Sequence, residues 1–387
     1  MKILHINKFA YSRGGAEEYM LRLASQQQEQ GNDVAIFGAT ANIPVSTSVR
    51  RIDYPVIEFH DSHGLEKVTA VREVIWSKRA AQALEGTMQS FRPDIVHIHN
   101  YAHQLSSSIL PVIANAKTRS VYTAHDYKLI CPAYVAHRKG ADCFSCARSL
   151  SRSLIVDRCH HGSLSWSGLV AVESLLVRAK RLLPDAIVAP SQFMHDQLTS
   201  SWIEKDRVTM VRNPADPTGM AWSRGKSLLY VGRLSAEKGV ADLVAACQSA
   251  NIQLDIAGDG PLRHTLEDNA DPKLVRFHGH VDQAALRELR TGCLAQVVPS
   301  QWPENAPLAV LECVVDGIPV IATRRGGLPE FEQIGARIAF VDEISADSLV
   351  HSINDLEHAS FDLERVRTVL SWSHHLKELD TVYGTIQ

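Results

Sequence analysis

Pro299-Ser300-Gln301-Trp302-Pro303-Glu304-Asn305-Ala306-Pro307-Leu308-Ala309-Val310-Leu311-Glu312 places two glutamates eight positions apart, with a proline and an apolar run between them. Pro307 suits the first turn of a helix, where its missing N–H costs nothing. Asn305 is positioned as a cap just before it. Leu308, Val310, Leu311 and Val314 then predict a helix that Gly317 stops. Glu304 falls in the loop before this helix, and Glu312 more than a turn inside it. Free N–H groups and a positive dipole end at the helix start, over Asn305, Ala306, Pro307 and Leu308, favour an anion such as a phosphate. Glu312 can offer both carboxylate oxygens to a diol, as acidic residues do to ribose in nucleotide folds. Glu304, nearer the mouth, is placed to do the same for a sugar. A lone pair of glutamates is more often two solvated charges, so the surroundings decide.

Downstream comes a strand, Ile318 to Ala322, and then Thr323-Arg324-Arg325-Gly326-Gly327-Leu328-Pro329-Glu330. Upstream, the strand Leu228 to Gly232 leads into Arg233-Leu234-Ser235-Ala236-Glu237-Lys238-Gly239. A guanidinium and an ammonium close together at a strand end suit a diphosphate: the first grips two oxygens, the second adds a point charge. Near the start, Lys2 to Asn7 reads as a buried strand. It leads through Gly14 and Gly15 to a helix carrying Tyr19, Met20, Leu23 and Ala24. Strand, paired glycines and helix bring backbone close to a phosphate or sugar. The absence of G-x-G-x-x-G gives no support for a dinucleotide fingerprint. Gly219 to Ser227 is not a P-loop either: its spacing is wrong and it precedes a strand.

Short Val/Ile runs recur at 34–37, 94–99, 120–126, 186–189, 253–257, 277–279 and 296–300, alternating with helical stretches. This predicts doubly wound parallel sheets, with ligands beyond the carboxyl ends of the strands. His99, His125 and Ser191 fall at such ends, whereas His97, further from its strand end, is expected to be packed. The length of 387 residues favours two domains. Hydrophobic content of 45%, charged content of 21% and a formal net charge of −3 describe an ordinary globular chain with no reason to bind nucleic acid. No apolar run approaches the ~20 residues that span a bilayer. His5, Asn7 and Lys8 interrupt any signal-peptide core, so the chain is expected in the cytoplasm.

The glutamate pair resembles the E-x7-E motif of retaining glycosyltransferases with two facing Rossmann-like domains, the GT-B architecture, and in particular glycosyltransferase family four. The 323–330 segment is similar to that family's T-x-x-G-G-x-P-E ending, Arg233 to Gly239 to its G-R-L-x-x-x-K-G loop, and Gly14 to Glu17 to its G-G-x-E loop. Thr123-Ala124-His125-Asp126 resembles its histidine loop. Asn213-Pro214-Ala215-Asp216 departs from the usual Asn-Gly-Val-Asp, so Asn213 is carried over only weakly.

The resemblance covers nearly the whole chain. It implies an acceptor-side domain over 1–214, a nucleotide-sugar domain over 215–370, and a final helix over 371–387 that crosses back. It implies transfer of a sugar, with retention, from a nucleotide-diphosphate sugar to a hydroxyl of a saccharide or lipid-linked saccharide, in cell-surface or exported polysaccharide synthesis. No catalytic metal is implied. His125, Arg233, Lys238 and Glu304 would be catalytic. Gly14, Gly15, Ser191, Gly232, Arg233, Lys238, Glu304 to Leu308 and Glu312 would bind the donor. An epimerase of the same architecture and a non-catalytic sugar-nucleotide-binding module are the alternatives. A helix packed on its own sheet with solvated cations is the favoured reading of the apolar, basic stretch Glu173 to Leu183, and peripheral contact at the cytoplasmic membrane face stays open beside it.

Four of the seven cysteines, Cys131, Cys143, Cys146 and Cys159, fall in an insertion over about 131–160. Cys143 and Cys146 have C-x2-C spacing, which lets two thiolates reach one ion. A structural zinc bracing this segment is one expectation, with His160 or His161 able to replace Cys159. Ordinary buried thiols are the other.

Overall fold

The computed structural model describes residues 1–40, 48–55, 73 and 75–386. The apolar runs form strands because helices cover both faces of each sheet and leave little solvated strand surface. In chain order these are β1 (Lys2–Phe9), β2 (Asp33–Thr40), β3 (Arg50–Pro55), β4 (Ile95–Ile98) and β5 (Arg119–Thr123). A small antiparallel hairpin follows, β6 (His137–Arg138) and β7 (Ala141–Asp142), then β8 (Ala186–Ala189) and β9 (Val208–Met210). Apart from the hairpin, these strands make one parallel sheet in the order β3-β2-β1-β4-β5-β8-β9. The second sheet contains β10 (Leu228–Val231), β11 (Leu254–Ala257), β12 (Val275–Gly279), β13 (Ala295–Val298), β14 (Val320–Thr323) and β15 (Ile338–Val341). Its order is β12-β11-β10-β13-β14-β15, again parallel.

The strands expected from sequence form with ends shifted by a few residues. β3, β9 and β15 had no counterpart in the sequence reading: β3 alternates charge with apolar residues, and β9 is only three residues long.

The final helix, Trp372–Thr385, follows the second sheet but belongs to the first domain's core. Trp372, Leu376, Leu379, Val382 and Tyr383 pack in one cluster with Ile3, Met20, Leu23, Ile95, Val121 and Val188. Its apolar stripe recurs every three or four residues, as a helix lying across a sheet requires.

The expected helix over Glu173 to Leu183 is the end of a longer one, Leu164–Ala179. It stops early because Arg181 takes a left-handed conformation, φ 47°, and the Leu182 N–H turns back to the Val177 carbonyl. Glu173 is not solvated. It is buried and accepts from Lys128 Nζ at 2.7 Å and Ser107 Oγ at 2.6 Å.

Candidate active site

The loop before the second glutamate reaches into the other domain. Asn305 does not cap the following helix, Leu308–Val314; Pro307 stands at the cap position with no side-chain bond. Instead the Asn305 carboxamide spans the cleft. Its Nδ2 donates to the Ala124 carbonyl at 2.8 Å, and its Oδ1 accepts from Ser191 Oγ at 2.7 Å. Tyr127 Oη donates to the Pro303 carbonyl at 2.8 Å beside it. A helix of seven residues has a weak dipole, so charge in the cleft has to come chiefly from side chains.

Those side chains are Lys238, Glu304 and Arg233. Glu304 is buried and accepts from Lys238 Nζ at 2.7 Å and from Ser300 Oγ. The Lys238 ammonium also lies 4.8 Å from the Trp302 ring centre. Arg233 is exposed and lies within electrostatic reach of Tyr134 of the first domain, whose hydroxyl is pushed up by burial, an effect Arg233 only partly offsets. The 326–327 glycines hold the Glu304 backbone. The Gly327 N–H donates to the Glu304 carbonyl at 2.7 Å, and a Cβ on Gly326, at φ +58°, would stand 2.0 Å from that oxygen. Glu312 is already engaged, its Oε2 2.6 Å from Arg290 Nη2.

A pocket of about 180 Å³ opens here, lined from the first domain by Gly15, Asn100 and His125 and from the second by Trp302, Glu304 and Leu308. The two domains approach closely at Gly15, where a Cβ would come within 3.3 Å of Leu308 Cδ1. Three buried polar atoms without partners, Asn100 Oδ1, Asn213 Oδ1 and Trp302 Nε1, belong to residues lining this pocket. Two acceptors and a donor without partners are costly unless a polar ligand meets them. Asn100 and Trp302 had no role in the sequence reading; their position after strand ends was the available signal.

Glu330 was also missed as a site residue. Its carboxylate accepts from the Gln192 and Phe193 N–H groups at the start of the helix Gln192–Thr199, at 2.9 and 2.8 Å, and pairs with Arg212 Nη1 at 2.6 Å. The acid that ends the 323–330 segment therefore locks one domain to the other.

His125 is half-buried at the pocket wall. Its Nε2 lies 3.0 Å from His99 Nδ1, and His99 Nε2 lies 3.0 Å from His5 Nδ1. His97 is buried as expected, but it also bonds Tyr383 and Thr123. His5, His97 and His99 have ligand atoms within 4.8 Å of one another. All six of their ring nitrogens already have hydrogen-bond partners, so the cluster is a satisfied polar network. Burial pulls His5 down to about 4 and His125 to about 3, with Lys8 adding to the latter; His97 and His99 fall well below the usual value.

Cys131, Cys146 and Cys159 share a small apolar cluster with Leu154 and Val170. Cys143 is within electrostatic reach of Cys131 and Cys159. Burial pushes Cys131 up to about 11, toward the thiol. Among the described residues, no three of the four sulfurs come within 4.8 Å of one another.

Two parallel-sheet domains facing a cleft, with a Lys-Glu pair and unpartnered polar atoms inside it, define a GT-B glycosyltransferase. A profile described as Glycosyltransferase Family 4 matches residues 13–218, and one described as Glycosyl transferases group 1 matches residues 222–368. The chain belongs to glycosyltransferase family 4. It is 31% identical over 291 residues to glycogen synthase of Mycobacterium tuberculosis, covering 70% of this chain and 62% of that protein's length. Sucrose-phosphate synthase from Thermosynechococcus elongatus superposes with a TM-score of 0.71 at 17% identity, over 99% of this chain and 98% of that one. Anabaena HepE, solved in complex with UDP-glucose, superposes with a TM-score of 0.62 at 16% identity, over 100% and 98%. These two likenesses establish the fold.

The buried histidines set an acid limit on stability. Their folded pKa values lie below the unfolded value near 6.5, so the unfolded state takes up protons first as pH falls. Stability should fall from about pH 6.5 toward about pH 4, by about 1.4 kcal/mol per pH unit for each such histidine. Urea unfolding at several pH values measures this; a flat profile across that window would contradict burial of neutral histidines.

Proposed function

We propose that this chain transfers a sugar, with retention at the anomeric carbon, from a nucleotide-diphosphate sugar to a hydroxyl of a saccharide acceptor. The observation that carries the reading is the Lys238–Glu304 pair beside the unpartnered Asn100, Asn213 and Trp302 atoms. A donor diphosphate gains negative charge as it leaves, and fixed cations beside it lower that barrier. Lys238 and Arg233 supply them. Glu304 holds the ammonium until the diphosphate takes over part of that contact, and Ser300 keeps the carboxylate in place. The unpartnered oxygens suit sugar hydroxyls. The leaving phosphate is positioned to help take the acceptor proton, so no enzyme nucleophile is assigned and no catalytic metal is required. The UDP-glucose in the HepE complex supports UDP-glucose as the first donor to try.

Lys238→Ala should lower transfer from UDP-glucose by roughly 10²-fold, the usual effect of removing one charge-stabilising group. The assay follows UDP release with and without a glycan acceptor. Conversion of UDP-glucose to another UDP-sugar without acceptor would favour the epimerase alternative, no turnover at all the binding module, and wild-type turnover in Lys238→Ala would remove its assigned role.

The acceptor we favour is lipid-linked, at a membrane face. Six of the ten large apolar side chains exposed among the described residues are Ile155, Val156, Leu164, Val172, Leu175 and Leu176. Exposed Arg152, Arg158 and Lys180 stand among them, whereas Asp157 and Glu173 are tied in ion pairs. Exposed apolar side chains interspersed with cations along 152–180 suit an anionic bilayer surface. The chain should co-sediment with phosphatidylglycerol vesicles, and Val172→Glu with Leu175→Glu should abolish this; equal recovery of both forms in the supernatant contradicts it.

The structural zinc at Cys131, Cys143, Cys146 and Cys159 is a separate part of the proposal. An ion would have to draw the sulfurs closer than they stand here. About one zinc per chain by elemental analysis of untagged protein is expected; metal-free protein with four titratable thiols rejects it.

A further inference from the structure

The hydrogen bonds behind His125 run further than one neighbour, and their direction can be worked out. The starting point is a group that can only accept. The Arg212 carbonyl, at the junction between the domains, lies 2.8 Å from His375 Nδ1, so that nitrogen carries the proton. His375 Nε2 is then bare and accepts from the Tyr19 hydroxyl at 2.9 Å. On the sheet side, His97 Nε2 lies 2.7 Å from Thr123 Oγ1 and His97 Nδ1 lies 2.7 Å from the Tyr383 hydroxyl.

The direction toward the pocket is set by one amide. Tyr383 Oη accepts from Gln27 Nε2 at 3.0 Å, which turns the Gln27 carbonyl oxygen toward His5 Nε2 at 2.8 Å. That oxygen only accepts, so His5 carries its proton on Nε2 and is bare at Nδ1. The same logic passes to His99, with Nε2–H toward His5, and on to His125, with Nε2–H toward His99. With Gln27 so oriented, the tautomers of His5, His99 and His125 are fixed, provided the imidazoles are neutral. Burial keeps them so: His5 and His375 are lowered to about 4, His125 to about 3, and His97 and His99 well below the usual value. Gln27, His375 and Tyr383 are at most 1% exposed, so no water competes for these bonds.

We propose that this one-way chain, set by the Gln27 amide against Tyr383 of the C-terminal helix, holds His125 as the Nε2–H tautomer and leaves Nδ1 to accept a hydroxyl of a sugar in the pocket. The sugar rests on the function proposed above; the tautomer does not. Gln27, Tyr383 and His375 are positioning residues that touch no substrate. Reversing the Gln27 amide would reverse His5, His99 and His125 in turn, making Nδ1 a donor that no longer accepts a hydroxyl. The crossing helix thus does more than pack: its hydroxyl at Tyr383 orients the amide that sets the pocket histidine.

The test is nitrogen-15 NMR of the full-length chain labelled at histidine, with resonances assigned by single substitutions. In the wild type at neutral pH, His125 should show a pyrrole-type Nε2 and a pyridine-type Nδ1. Tyr383→Phe removes the acceptor for the Gln27 amide and should shift both His125 nitrogens toward each other, the mark of mixed tautomers. Gln27→Glu keeps an acceptor toward His5 and should retain the wild-type pattern at His125. A pyrrole-type Nδ1 in the wild type overturns the proposal, as does an unshifted His125 in folded Tyr383→Phe. The wild-type spectrum decides even where a variant fails to fold. Failure of UDP-glucose to bind, with the predicted tautomer present, counts against the proposed function and not against the chain of bonds.

Discussion

The bond between two domains that the site depends on is a single carboxamide. Asn305 reaches from the loop before the Leu308 helix to Ala124 and Ser191, and in doing so places Glu304 one residue away against Lys238. Both contacts satisfy atoms of an amide that the cleft partly shields from water. Glu330 repeats the arrangement from the next strand, its carboxylate on the N–H groups of the helix Gln192–Thr199. The pocket is therefore lined from both domains, which Asn305 and Glu330 join by polar contacts, while the Lys238–Glu304 pair is held within the second.

The first domain contributes a rigid back wall. A row of neutral histidines in the sheet would be an expensive arrangement were any ring nitrogen unmet. Each is met, and the partners come from three elements far apart in sequence: Gln27 on the first helix, Thr123 on β5, and Tyr383 on the last helix. This ties the C-terminal helix to the pocket by hydrogen bonds as well as by its apolar stripe. It also explains why a chain that leaves the first domain near Arg212 returns to it after the second sheet.

The fold was legible because parallel strands buried on both faces read as Val/Ile runs, and the strand–loop–helix motifs sat at their ends. The placement of candidate residues was legible where it is local: the 233–239 loop, Glu304 and Thr123 to Asp126 all lie at or beyond strand ends, as the sequence put them. It was not legible where a role depends on a distant partner. Asn305 looked like a cap because capping is the commonest use of Asn before a helix, yet its partners lie 114 and 181 residues away. Glu312 read as a free diol acceptor, and nothing in its own segment announced Arg290. Likewise no local pattern at His5 or Gln27 signals a bond to Tyr383.

Binding of the donor to the assembled cleft tests the account most directly. Isothermal titration of UDP-glucose into the full-length chain, alongside a panel of other nucleotide-diphosphate sugars, should give saturable one-to-one binding for at least one donor. That binding should be displaced by the matching nucleoside diphosphate and weakened by Lys238→Ala. A chain that binds none of them, while remaining folded, would contradict the assignment of this cleft to a nucleotide-diphosphate sugar.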